Sequence, residues 1–237
     1  MSTSGNRASD LAYDSLKGWI IRGEFAIGQP LDLVNLQGRL GIGRTPLREA
    51  LQHLAEDGLL NVIPNRGTFI NQVNLNELRL LMEARMELEA VCARMVALNP
   101  DPKILAQLEQ MVENPGAFIP SDDQRQPVYA LDEMFHPLFY AATGNPFIQT
   151  TLLRLFYIAT VSASMLGIQR FPSEQIQADF CQLLSAVRAK DPDSAGEIMR
   201  RHIGAFRYRI TEQFLGTETT RNLEGGDRGD RDLSDQP

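Results

Sequence analysis

From Leu75 to about residue 214 the apolar residues recur at helical spacing. The run is cut only where a helix has to stop: Asn99-Pro100, Asn114-Pro115-Gly116, Gly144-Asn145-Pro146, Phe171-Pro172 and Asp191-Pro192. Proline has no N–H for the helical ladder and pushes the residue before it out of helical geometry, so each of these marks a boundary. The spacing predicts helices at about 75–98, 101–113, 127–142, 146–168, 173–189 and 191–214, and no convincing strand. Amphipathic helices joined by short connections bury their apolar stripes against one another. Residues 74–214 therefore read as an all-α antiparallel helical bundle. Residues 113–127 read as a loop, and residues 215–237, with three Arg against six acids and several Gly, as a disordered tail.

The first third has a different pattern. Leu11, Leu16, Trp19 and Ile20 predict a helix from Asp10 to about Arg22 that stops at Gly23, a residue suited to a left-handed cap. A second helix, from about Asp32 to Leu40, is capped by Asp32 and turns Leu33, Leu36 and Leu40 inward. Gly38 weakens it by about 1 kcal/mol relative to Ala. After the turn at Gly41-Ile42-Gly43-Arg44, Thr45 caps a third helix and Pro46 takes its first position. Leu47, Ala50, Leu51 and Leu54 form its inner face, at i, i+3, i+4 and i+7; Arg48, Glu49, Gln52, His53 and Glu56 face away, with His53 read as solvated. Gly58 ends the helix. Two short β-branched runs, Leu59 to Ile63 and Thr68 to Asn71, flank Pro64-Asn65-Arg66-Gly67 and read as a hairpin. Three helices and a hairpin make residues 8–73 a winged helix-turn-helix, and the whole chain mainly α.

The chain has 237 residues, 43% hydrophobic and 22% charged, which suits a globular protein with a buried core. No segment reads as a signal peptide or membrane span, and Cys92 and Cys181 read as buried reduced thiols, so the expected compartment is the cytoplasm. The net charge of −7 argues against nucleic-acid binding until it is partitioned: residues 1–74 hold seven Lys/Arg and seven acids, so the whole deficit lies downstream.

A helix-turn-helix enters the major groove with the N-terminus of its second helix, where Arg44, Thr45 and Arg48 cluster. Arginine can donate two hydrogen bonds to guanine, and threonine can contact phosphate or a thymine methyl. Arg66, at the hairpin tip, can meet the minor groove or phosphates. Read alone, these residues are equally solvated surface arginines. The stretches GIGRTPLREALQHLAEDGLL and PNRGTFI resemble the DNA-binding domain of the GntR family of bacterial transcriptional regulators. The resemblance implies operator recognition by Arg44, Thr45 and Arg48, and wing contacts by Gly67 with Arg66. Two positions depart from the family pattern: Val34 stands where many relatives carry a polar contact residue, and Gly43 replaces a Ser or Thr.

In the bundle, EARMELEAVCARMVA, DEMFHPLFYAATGNP and RAKDPDSAGEIMRRHI resemble the helical ligand-binding domain called FCD, of the FadR subfamily. Asp132 and His136, four apart on one helix, project to one face and can chelate one cation. The resemblance implies that they are metal ligands and adds His202. It also places Phe180 where relatives carry a further histidine ligand, beside Asp179. Two readings follow. Asp132, His136 and His202 hold one divalent ion per chain (Zn, Ni, Fe or Mn) with open positions for an effector carboxylate, or Phe180 fills the metal volume and the pocket takes an apolar, acyl-type or other organic effector without metal. The resemblance also implies that Arg85 faces the pocket and binds an anionic effector; the alternative is a surface pair with Glu89 at i,i+4. Tyr140, Phe156 and Tyr157 read as core.

Together these imply a homodimeric, ligand-responsive regulator, a repressor, reading a palindromic double-stranded operator and released by a small organic acid. Two other classes are weighed against it. A non-haem iron enzyme built on Asp132, His136 and His202 lacks an evident general base, so no enzyme is expected. A nonspecific architectural DNA protein is disfavoured by the acidic charge.

Overall fold

The computed structural model describes residues 3–26, 28–118, 127–167 and 173–224. The elements, in chain order, are α1 (Thr3–Ile21), α2 (Leu33–Leu40), α3 (Arg44–Glu56), β1 (Leu60–Ile63), β2 (Gly67–Ile70), α4 (Leu75–Leu98), α5 (Pro102–Glu113), a 3-10 turn (Pro115–Ala117), α6 (Pro127–Ala141), α7 (Pro146–Met165), α8 (Ser173–Arg188) and α9 (Pro192–Glu224). The expected architecture holds: three helices and a two-stranded antiparallel hairpin, then helices alone among the described residues.

In the N-terminal lobe Ala12, Leu16 and Ile20 of α1 pack with Leu36, Leu47, Ala50, Leu51, Leu54, Leu59 and Ile70. Glycine ends both α1 and α3 in the same way: Gly23 and Gly58 adopt positive φ, and the next amide reaches back five residues, Glu24 N to Trp19 O and Leu59 N to Leu54 O. Asp32 caps α2 as expected, accepting from the amides of Val34 and Asn35. Three local expectations are corrected. Leu11 is 63% exposed because the buried stripe of α1 runs through Ala12 instead, and Leu33 is 37% exposed, leaving Leu36 as the buried residue of α2. Helix α3 starts at Arg44 with Gly43 as its N-cap and no side-chain cap, so Thr45 and Pro46 are already its second and third residues. Proline is tolerated there because first-turn amides have no partner inside the helix.

The bundle is organised on α4, against which α9 runs antiparallel: Arg200 pairs with Glu87 and Arg207 with Glu83. Gly196 and Gly204 permit the close approach, since a Cβ at Gly196 would come within 2.8 Å of the Arg94 side chain and one at Gly204 within 3.3 Å of Met86 Sδ. Helix α9 continues to Glu224, past the point where the sequence places a tail. Residues 225–237 and most of the expected 113–127 loop, residues 119–126, lie outside the described residues. Cys92 is buried as expected; Cys181 is exposed, on the outer side of α8. No helix of the described residues is long and apolar enough to cross a membrane.

The two lobes touch through α1 and α7. Lys17 donates to the Tyr157 hydroxyl and the amide of Val73 to Ser162 Oγ at 3.1 Å, while within the first lobe Tyr13 donates to Asp57.

Candidate DNA-reading surface and effector cavity

Leu47, Ala50, Leu51 and Leu54 commit one face of α3 to the core, which fixes the opposite face as solvent-facing. Thr45 and Arg48 are exposed on the side away from that core, and Arg44, nearly in line with Leu51, is exposed because it opens the helix. With no side-chain cap at Gly43, the N-terminal amides of α3 stay available to an oxyanion such as a phosphate. Arg66 is exposed in the turn between β1 and β2, next to Asn65 at φ 60°. Gly67 has a structural reason of its own: at φ 121° a Cβ would lie 3.0 Å from Pro30 Cβ, and the adjacent Thr68 carbonyl accepts from Leu31 N at 2.8 Å. The wing is thus stitched to the segment before α2. Val34 is 78% exposed on α2.

The second site lies inside the bundle. Arg85 from α4, Asp132 and His136 from α6, and His202 from α9 line one cavity of about 50 Å³, with Phe156 and Thr160 of α7 in its wall. One donor atom from each of Asp132, His136 and His202 lies within 4.8 Å of the others. Both Nε2 atoms, on His136 and His202, are 3.5 Å from the same Asp132 Oδ1. Each imidazole turns its other nitrogen to a carboxylate, His202 Nδ1 to Asp179 at 3.2 Å and His136 Nδ1 to Glu89 Oε2 at 3.0 Å. The latter is an ion pair without hydrogen-bond direction, which leaves Glu89 Oε2 unsatisfied; the Tyr140 hydroxyl lies 3.2 Å from the same His136 nitrogen. Outer carboxylates that fix the tautomer of convergent histidines are the second shell a metal site requires, so the donor set fits a divalent ion. Phe180 does not line the cavity. Its ring stacks on Phe135 at 3.8 Å and lies 4.9 Å from the His202 ring and 5.7 Å from the His136 ring.

Burial alone would favour neutral imidazoles, but the facing carboxylates outweigh it. His136 is raised by the Glu89 charge and by Asp132, and His202 is pushed up to about 9 by Asp132 and Asp179. Asp132 is held well below the usual carboxylate range: hydrogen bonds from His136 and His202 overcome its desolvation.

Arg85 and Glu89 form the i,i+4 pair that the sequence offers, with Nε to Oε1 at 2.8 Å, but the pair is buried, correcting its reading as a surface contact. Arg85 faces the cavity while paired, 5.2 Å from the centre of the Phe156 ring. Sequence reasoning missed Glu89 and Asp179 as the carboxylates behind the histidines, and Phe156 as cavity wall. Asp179 was visible as the neighbour of Phe180, whereas Glu89 becomes a partner of His136 only once α4 and α6 pack.

Residues 8–70 match the gntR family of bacterial regulatory proteins, and residues 80–205 match the FCD domain. The HTH-type transcriptional repressor RspR of Escherichia coli K12 is 26% identical over 191 residues, 81% of this chain and 83% of that protein. The repressor GlaR of the same organism is 27% identical, over 81% of this chain and 90% of its own length. Escherichia coli McbR/YncC shares the fold at a TM-score of 0.65 and 22% identity, covering 87% of this chain and 98% of that one. The chain is a transcriptional regulator of the GntR family, with a winged helix-turn-helix for DNA and an FCD domain for an effector.

Proposed function

We propose that this regulator is a cytoplasmic, homodimeric repressor whose two lobes read the halves of a palindromic operator. Arg44, Thr45 and Arg48 contact bases and phosphates in the major groove, and Arg66 and the Gly67 backbone contact the flanking groove or phosphates. Its effector is a small organic acid that enters the bundle cavity, pairs with Arg85 and completes the coordination of a divalent ion on Asp132, His136 and His202. Such an ion supplies a Lewis-acidic centre with open positions. One observation carries the reading: two imidazole Nε2 atoms converge on one Asp132 oxygen while both Nδ1 atoms face carboxylates. Cavity size supports a small ligand over an acyl chain, since about 50 Å³ is room for a few water-sized groups at about 10–15 Å³ each.

The outer face of α4 supports the dimer. Leu80, Ala84, Leu88, Val91 and Leu98 are exposed along it, and at roughly 100° per residue they fall on one side of the helix. A second copy presenting the same apolar stripe would cover it, as a self-complementary two-fold interface requires. Sedimentation equilibrium is expected to give twice the mass of one chain; the mass of a single chain defeats this part.

Elemental analysis of chain purified without chelator or affinity nickel is expected to find about one Zn, Ni, Fe or Mn per chain, the count of donor sets described. In the same preparation Arg85→Ala is expected to keep DNA binding and lose release by added acetate or another carboxylate of a few heavy atoms. No metal, even after divalent cations are added, would favour the metal-free reading; release of Arg85→Ala at the wild-type concentration would sink the role of Arg85.

A further inference from the structure

Helix α7 faces two ways. Phe156, Thr160 and Ala163 line the bundle cavity, while Arg154, Tyr157, Ile158 and Ser162, interleaved with them, hold the DNA-binding lobe. Tyr157 is buried and accepts from Lys17 of α1, whose ammonium also lies 4.3 Å from the centre of the Tyr157 ring. One turn earlier on α1, Tyr13 donates to Asp57, the residue that ends the recognition helix α3. The next residue, Gly58, sits directly on α7: at φ +78° a Cβ there would come within 2.7 Å of Arg154 Cγ and 3.4 Å of Ile158 Cδ1. The C-terminal end of α3 therefore rests on α7 at two points. The wall of the effector cavity is the same helix, one residue away.

Consecutive side chains on a helix point about 100° apart, and the backbone between them is stiff. A displacement of α7 that makes room at Phe156 must carry Tyr157 with it, and close-packed interfaces answer such a shift by moving rather than by absorbing it. We infer that Tyr157 is the positioning residue through which an occupant of the cavity acts on the recognition helix, by way of Lys17, Tyr13 and Asp57. This rests on the reading that the cavity takes the regulatory ligand. It differs from that reading in locating the transmission on α7.

The test uses the full chain, Zn²⁺ as probe, and a DNA duplex recovered from a random-sequence pool by binding to the wild-type protein. Saturating zinc is expected to change the wild-type duplex Kd by about fivefold or more. Tyr157→Phe is expected to keep the zinc affinity, measured by chelator competition, and the metal-free Kd, while the zinc-dependent change falls below about twofold. A full change in Tyr157→Phe overturns the inference, as does zinc binding by wild type without any change in Kd. Should the wild-type chain take up no zinc, it is the metal reading that fails, and amide exchange decides this one. Phe156→Leu then speeds exchange at residues 53–58 in the wild-type background and has no effect there beside Tyr157→Phe. The same effect in both backgrounds, or none in either, overturns the inference.

Discussion

Arginine does opposite work in the two lobes. Arg44, Arg48 and Arg66 stand exposed on the candidate DNA-reading surface, whereas Arg85 is buried in the bundle against Glu89. An exposed guanidinium keeps its hydration until a phosphate or guanine replaces it, so folding neither gains nor loses much by its presence. Arg85 was desolvated when the chain folded, and Glu89 offsets that cost; the pair holds Glu89 below the usual carboxylate range despite its burial. The recognition lobe can thus alter its arginines at little risk to the fold, and the cavity cannot.

The largest expected effect breaks that contrast at its buried end. Glu89→Leu removes the partner of Arg85 and His136 together, and is expected to cost about 3–5 kcal/mol of stability by denaturant unfolding. Little or no loss would mean that Arg85 reaches solvent or a second acid. At the exposed end, Arg48→Ala is expected to weaken specific duplex binding by about 1–3 kcal/mol, read in a gel-shift titration, and to leave unfolding unchanged within about 0.5 kcal/mol. Unchanged affinity removes Arg48 from the reading surface.

A pH series sharpens the comparison, because His136 and His202, both raised by facing carboxylates, lie in the bundle. In metal-free chain His202 is raised from the ordinary 6.5 to about 9, since Asp132 and Asp179 outweigh burial. A group raised on folding contributes its full stability below the unfolded pKa and loses it as pH climbs through the folded one. Stability is therefore expected to fall between about pH 6.5 and 9, with a slope of up to about 1.4 kcal/mol per pH unit from this group. His202→Gln should flatten that limb in urea unfolding; an unchanged slope would assign it to another group.

The same division explains what the sequence makes legible. Periodicity and proline stops placed every helix of the bundle to within a few residues, apart from the extension of α9, because both act within one turn. The candidate recognition surface was readable in part for a related reason: once Leu47, Ala50, Leu51 and Leu54 face inward, Thr45 and Arg48 must face out, while Arg44 is exposed as the first residue of the helix. The cavity needed more. Its donors come from α6 and α9 and the carboxylates behind them from α4 and α8, and the role of Glu89 depends on His136 arriving from 47 positions along the chain. Spacing alone carries no such information. Motif resemblance supplied Asp132, His136 and His202, but the partners that orient them came only with the packing.

Leu33 marks the limit of periodicity on a short helix, and it offers the smallest effect. In the eight residues of α2, Leu33, Leu36 and Leu40 are spaced to share a face, yet Asp32 at the cap turns the first residue toward solvent and only Leu36 is fully buried. Leu33→Ser is therefore expected to change unfolding free energy by no more than about 0.5 kcal/mol, against about 2–5 kcal/mol for Leu36→Ala. Thermal unfolding of the two variants side by side checks this. A cost for Leu33→Ser near that of Leu36→Ala would return Leu33 to the core and restore the face that spacing predicts.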